Sequence, residues 1–128
     1  MVPVRKKRKR VQVCLIRRTR SRRWGIPKGF VDPGDSPQDA GLTEAIEEAG
    51  LRGRIRGRMV GTYSYEKYGK SLKVAVYLMQ VRDAQKDWDE RSFRKRQWFS
   101  PKQAASRLQK HPVRGLWDRV VRRFAKAL

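Results

Sequence analysis

Acids are scarce in this chain. It carries 33 Lys and Arg against 12 Asp and Glu, a formal net charge of +21 over 128 residues, with a pI near 11.3. Such a field attracts polyanions and speeds their association, without choosing among RNA, DNA, polyphosphate, dinucleoside polyphosphates and inositol polyphosphates. There is one cysteine, so an intrachain disulfide is excluded, which fits a reducing compartment. Cys14 lies in the apolar run VQVCLI, and that setting predicts a buried core thiol rather than a nucleophile. No apolar run approaches the length of a membrane span, and the basic N-terminal stretch lacks the apolar region of a secretory signal. A cytoplasmic location is the expectation. Internal repeats, low-complexity segments and zinc-ligand spacings are also missing. Hydrophobic residues still make up 38% of the chain, with four Trp, enough for one mixed core. A single domain over residues 1–128 is therefore expected.

The few acids are concentrated in one place. Residues 29–51, GFVDPGDSPQDAGLTEAIEEAGL, hold six of the twelve and no Lys or Arg. Ser36 followed by Pro37 reads as an N-cap and first helical residue, Asp39 as a short capping box, and Gly50 as the C-terminal stop. The spacing predicts a helix from about Pro37 to Ala49, with Leu42, Ala45, Ile46 and Ala49 on a packing stripe. Glu44, Glu47 and Glu48 fall nearly opposite. Carboxylates at i, i+3 and i+4 repel one another by about a few tenths of a kcal/mol per pair. In so basic a chain, that uncompensated cluster points to a bound divalent cation. Hard oxygen ligands suit Mg²⁺, with Mn²⁺ the alternative.

These residues resemble the signature of the Nudix hydrolases, G-x5-E-x7-R-E-U-x-E-E-x-G-U with U aliphatic. Gly29, Glu44, Glu47, Glu48, Gly50 and Leu51 fall at the signature spacing, and Ala45 fills the first aliphatic place. Asp35 stands where the first Glu belongs and Thr43 where the Arg belongs. In the family those two residues pair to brace the loop against the helix, so the two departures look like a paired change. The resemblance implies an α/β fold, the Nudix α/β/α sandwich, with a mixed sheet between helices.

Around that segment the chain reads largely as strands. VPVR, the basic turn KKRK and RVQVCLIRR predict a hairpin, in a stretch of 28 residues with twelve Lys or Arg and no acid. Trp24-Gly25-Ile26-Pro27-Lys28-Gly29 reads as a strand ending in a rigid turn, and Nudix proteins acting on dinucleoside or diphosphoinositol polyphosphates commonly carry such a run. Residues 52–60 suggest a strand with a cationic face. TYSYEKYGKSLKVAVYLMQVRD predicts two strands about a turn at Tyr68-Gly69-Lys70. In KDWDERSFRKRQWFSPKQAASRL, an acidic Asp-Trp segment, a basic run, an aromatic strand and a short helix resemble the diphosphoinositol polyphosphate phosphohydrolase branch and its basic bacterial relatives. From Pro112, the residues Val113, Leu116, Trp117, Val120, Val121 and Phe124 form the stripe of a core-packing helix. His111, before that proline, reads as a local structural residue, and Glu66 as a surface acid.

The activity the resemblance implies is metal-dependent hydrolysis of a pyrophosphate bond. In it the Gly29 carbonyl, Glu44, Glu47 and Glu48 hold the metal, Glu44 orients or deprotonates the attacking water, and Glu47 is the second candidate for that role. Arg17, Arg23, Lys28, Arg94, Lys95 and Arg96 are the expected polyphosphate contacts. The favoured partner is a small polyanionic substrate, a diphosphoinositol or dinucleoside polyphosphate. Two alternatives share the fold: a non-catalytic basic module that binds nucleic acid, and an enzyme acting on RNA 5′ ends.

Overall fold

A computed structural model describes residues 1–29, 31 and 33–128. Phe30 and Asp32, in the turn-rich loop expected ahead of the acidic helix, lie outside the described residues. The basic N-terminal stretch folds as a hairpin. Strands β1 (Val2–Lys7) and β2 (Arg10–Arg18) pair antiparallel, with Lys7 opposite Arg10. Arg8 and Lys9 form the turn at φ of 52° and 66°, the left-handed geometry whose twist matches the flanking strands.

Three further strands complete a mixed sheet: β3 (Leu51–Ile55), β6 (Leu78–Ala84) and β7 (Arg94–Phe99) join in the order β3-β6-β1-β2-β7. Only β1 and β6 run parallel. Between β3 and β6 the chain makes a separate two-stranded ribbon, β4 (Gly61–Lys67) and β5 (Lys70–Val76). Where two strands are expected after residue 60, three form. The break falls at Tyr77, because Val76 closes the ribbon against Gly61 while Leu78 opens the pairing with Val2. Alternation survives it: Val74, Val76 and Leu78 enter one core cluster, and Ala75, Tyr77 and Met79 the other.

Strand β2 shows how the sheet divides the core. Val13 and Leu15 pack with residues of α2 (Pro101–Arg107), a 3-10 turn (Pro112–Leu116) and α3 (Trp117–Ala127). Cys14 and Ile16 pack with Ala45 and Ala49 of α1 (Pro37–Ala49). Each fully buried Val, Leu or Ile contributes on the order of 1.5–3 kcal/mol, so both faces of β2 tie helices to the sheet. The result is a mixed sheet with helices on either face, the expected α/β/α sandwich.

Two local expectations are corrected. Residues 24–29 form no strand; one bridge pairs Gly25 with Ile16, and Pro27, lacking an N–H, could not continue the ladder. The C-terminal stripe is also narrower. Its first turn is 3-10, and Val113, Trp117, Val120 and Phe124 are buried while Val121, within α3, is 39% exposed.

Candidate functional site

The site is built on the C-terminal half of α1. Ser36 Oγ accepts the Asp39 N–H at 3.1 Å, and Gly50, at φ 65° and ψ 30°, ends the helix by donating to the Ala45 and Ile46 carbonyls. The next four carbonyls are satisfied from outside the helix. Glu47 O accepts from Glu90 N at 3.0 Å, Glu48 O from Trp88 Nε1 at 3.1 Å, Ala49 O from Arg96 Nη1 at 2.6 Å, and Gly50 O from Gln85 N at 2.9 Å. Residues 85–90 are thus docked onto the helix terminus, where the Arg96 cation also faces the negative end of the helix dipole. Arg96 donates in addition to Gln85 O and stacks over Trp88 at 4.2 Å.

This docking carries Glu90 to the helix. Carboxylate oxygens of Glu44, Glu47 and Glu90 lie within 4.8 Å of one another, all three side chains partly buried. Gly29 closes the group from the loop side. A Cβ built there would collide with Glu44 Cγ and stand 2.7 Å from its Oε1, so only glycine lets the backbone lie against that carboxylate. Three convergent hard-oxygen donors fit a divalent cation.

Glu48 faces elsewhere. It is 7% exposed, its Oε2 accepts the Lys28 N–H at 2.9 Å, and its Oε1 pairs with Arg94 Nη2 at 3.0 Å. Burial pushes its carboxyl up to about 7, with Arg94 and the Lys28 N–H pulling the other way. Arg94 Nε also pairs with Glu90 Oε1 at 2.9 Å. One guanidinium therefore bridges the buried Glu48 to the carboxylate group.

Lys28, whose N–H Glu48 accepts, also lines a cleft of about 590 Å³ together with Arg22, Arg23, Tyr63, Tyr65 and His111. The Lys28 ammonium lies 3.9 Å from the Tyr65 ring centroid, and burial, with Lys67 nearby, lowers its pKa. Tyr63 Oη is buried and has no hydrogen-bond partner among the described residues. His111 Nδ1 accepts the Val113 N–H at 3.0 Å and caps the 3-10 turn; burial, with Lys28 and the N-terminus adding, takes its pKa down to about 4. Its structural role matches the sequence expectation.

The six expected cations divide into three groups. Lys28 and Arg23 line the cleft. Arg17 and Arg94 line an adjoining hollow with both of them, but Arg17 Nη1 also donates to the Thr19 and Ser21 carbonyls at 3.1 and 3.0 Å. Arg96 is taken up in bracing α1, and Lys95 is exposed opposite Arg17 in the β2–β7 pairing. Sequence reasoning missed Glu90, Tyr63 and Tyr65. The alternation of Tyr63-Ser64-Tyr65 on one strand could have placed both tyrosines on one face. For Glu90 the only signal was the acidic Asp87-Trp88-Asp89-Glu90 run.

A family model for the NUDIX domain matches residues 1–120. The chain belongs to the Nudix family. Among curated proteins, this Nudix chain aligns at 33% identity over 91 residues with diphosphoinositol polyphosphate phosphohydrolase 3-beta of Bos taurus, covering 70% of this chain and 54% of that protein. Diphosphoinositol polyphosphate phosphohydrolase 2 of Rattus norvegicus aligns at 34% over 90 residues, 69% of this chain and 49% of that one. The chain thus spans about half the length of these relatives. An Ap4A hydrolase of C. elegans, solved as a binary complex, superposes with a TM-score of 0.80 at 23% identity, covering 98% of this chain and 94% of that chain. At that identity the likeness shows the Nudix fold. Among the described residues no helix is long and apolar enough to cross a membrane.

Proposed function

We propose that residues 1–128 act as one Nudix hydrolase domain that cleaves a pyrophosphate bond in a highly anionic substrate, a diphosphoinositol polyphosphate or a dinucleoside polyphosphate. The observation that carries this reading is the convergence of Glu44, Glu47 and Glu90 against the Gly29 backbone, in a chain of net charge +21. The names of the aligned relatives motivate the choice of substrate class.

Glu44, Glu47, Glu90 and the Gly29 carbonyl would hold Mg²⁺ or Mn²⁺. When bound, such an ion neutralises charge developing on phosphoryl oxygens and lowers the pKa of a water. Glu44, pressed against the Gly29 backbone, is the first candidate to orient the attacking water and take its proton, with Glu47 the second. Glu48 serves differently from the metal ligand that the signature implies: it anchors the Lys28 backbone and Arg94, fixing two cations beside the substrate. Lys28 and Arg23 hold phosphate oxygens electrostatically, and Arg94 and Arg17 extend that surface. Tyr63 and Tyr65 shape the cleft beyond.

A turnover panel tests the reading: diadenosine polyphosphates, diphosphoinositol polyphosphates, nucleotide sugars and triphosphorylated RNA, each with Mg²⁺ and with chelator. Chelator-sensitive turnover of a member of the first two classes is expected. Absence of turnover across the panel would sink the proposal.

A further inference from the structure

A second basic surface shares no residue with the cleft or the carboxylates. A groove of about 520 Å³ opens where β3 leaves the sheet edge and α3 ends, lined by Arg54, Ile55, Arg56, Gly57, Arg58, Arg123 and Lys126. Five of those seven residues are cations and none is an acid. Arg123 builds it: Nη1 donates to Arg58 O at 3.1 Å and Nη2 to Met59 O at 3.5 Å, pinning the segment after β3 to α3. Like charges stand close there: Arg82, outside the lining, and Arg56, within it, lower the pKa of the Arg54 guanidinium.

From this geometry we infer that the groove of Arg54, Arg56, Arg58, Arg123 and Lys126 docks the sugar-phosphate backbone of duplex nucleic acid, separately from the hydrolytic site. Charge complementarity selects the occupant. The lining has no ring on which an unpaired base could stack, the device of single-strand binding. Its four guanidiniums and one ammonium are donors only, matched to the phosphate oxygens that a duplex presents along its backbone. Binding through those contacts is dominated by counterion release.

The test compares the intact chain with the triple variant Arg54→Ala/Arg56→Ala/Lys126→Ala, using a fluorescent DNA duplex of random sequence across a salt series. Removing three phosphate-neutralising cations should flatten the slope of log K against log salt by about 2.7, at roughly 0.9 per phosphate. Affinity at moderate salt should fall on the order of tenfold or more. Thermal melts verify that both proteins are folded, and the charge reversal Arg54→Glu/Lys126→Glu, at two exposed positions, gives a second variant. Turnover of any small substrate should keep its kcat, so failure here and failure of the hydrolase reading are separate results. An unchanged slope overturns the inference. So does a loss confined to inorganic polyphosphate, with duplex binding intact.

Discussion

At the scale of single residues, Glu90 and Gly29 distinguish a working metal group from a decorative one. Glu90→Gln keeps the size and the backbone bond to Glu47 O but removes one charge from the three-carboxylate group. Mg²⁺-dependent turnover should drop by orders of magnitude, as for Glu47→Gln, with the melting temperature little changed. Gly29→Ala should act through geometry, since its methyl must displace Glu44. The expected kinetic signature is a fall in kcat larger than any change in KM. His111 offers a stability test. Its imidazole is held at about 4 when folded against an ordinary 6.5, so below 6.5 the unfolded state takes up a proton that the folded state refuses. The stability it contributes is present above pH 6.5 and lost as pH falls toward 4. His111→Asn retains an acceptor for the Val113 N–H, and urea melts should show a shallower acid loss in the variant than in the parent.

At the scale of elements, α1 and the loop before it lack the brace that their family signature implies. Asp35 and Thr43 are both exposed and share no side-chain hydrogen bond among the described residues. The docked segment 85–90, with Arg94 and Arg96 behind it, supplies support from the other end of the helix. If the original brace still has a use, Asp35→Glu/Thr43→Arg should raise kcat/KM by more than the two single changes combined. Additive or harmful effects would mean that the segment has replaced it. The helix itself was legible: Ser36, Pro37 and Gly50 are local signals, and its ends fall where those residues set them. So was the hairpin about the basic Lys6-Lys7-Arg8-Lys9 turn. The Tyr77 break was not, because β5 and β6 form one unbroken alternating run, and only partners distant in sequence part them into two sheets. Glu90 was hidden for the same reason. Its place depends on backbone bonds to a helix end far upstream, a relation that no local period records.

At the scale of the whole molecule, charge and chemistry separate. Long-range attraction acts on encounter, so raising ionic strength should lower kcat/KM for a polyphosphate while leaving kcat nearly constant. Reversing charges in the Lys6-Lys7-Arg8-Lys9 turn should weaken that steering and nothing else, because the turn lines neither the cleft nor the carboxylate group. A parallel loss of kcat would place the turn closer to the reaction than its position in the fold allows.

The docking of residues 85–90 onto α1 also bears on synthesis. Glu44 and Glu47 belong to the first half of the chain, and Glu90 is held beside them by backbone bonds from Gln85 and Glu90 to the helix end, where Arg96 also donates. Joining segments so distant costs loop-closure entropy that nearer contacts do not. A nascent chain, made from the N-terminus onward, therefore displays two isolated carboxylates without the third. The three-carboxylate group exists only where residues 85–90 are docked on the helix end, so it is a property of the folded chain and not of any one segment of it.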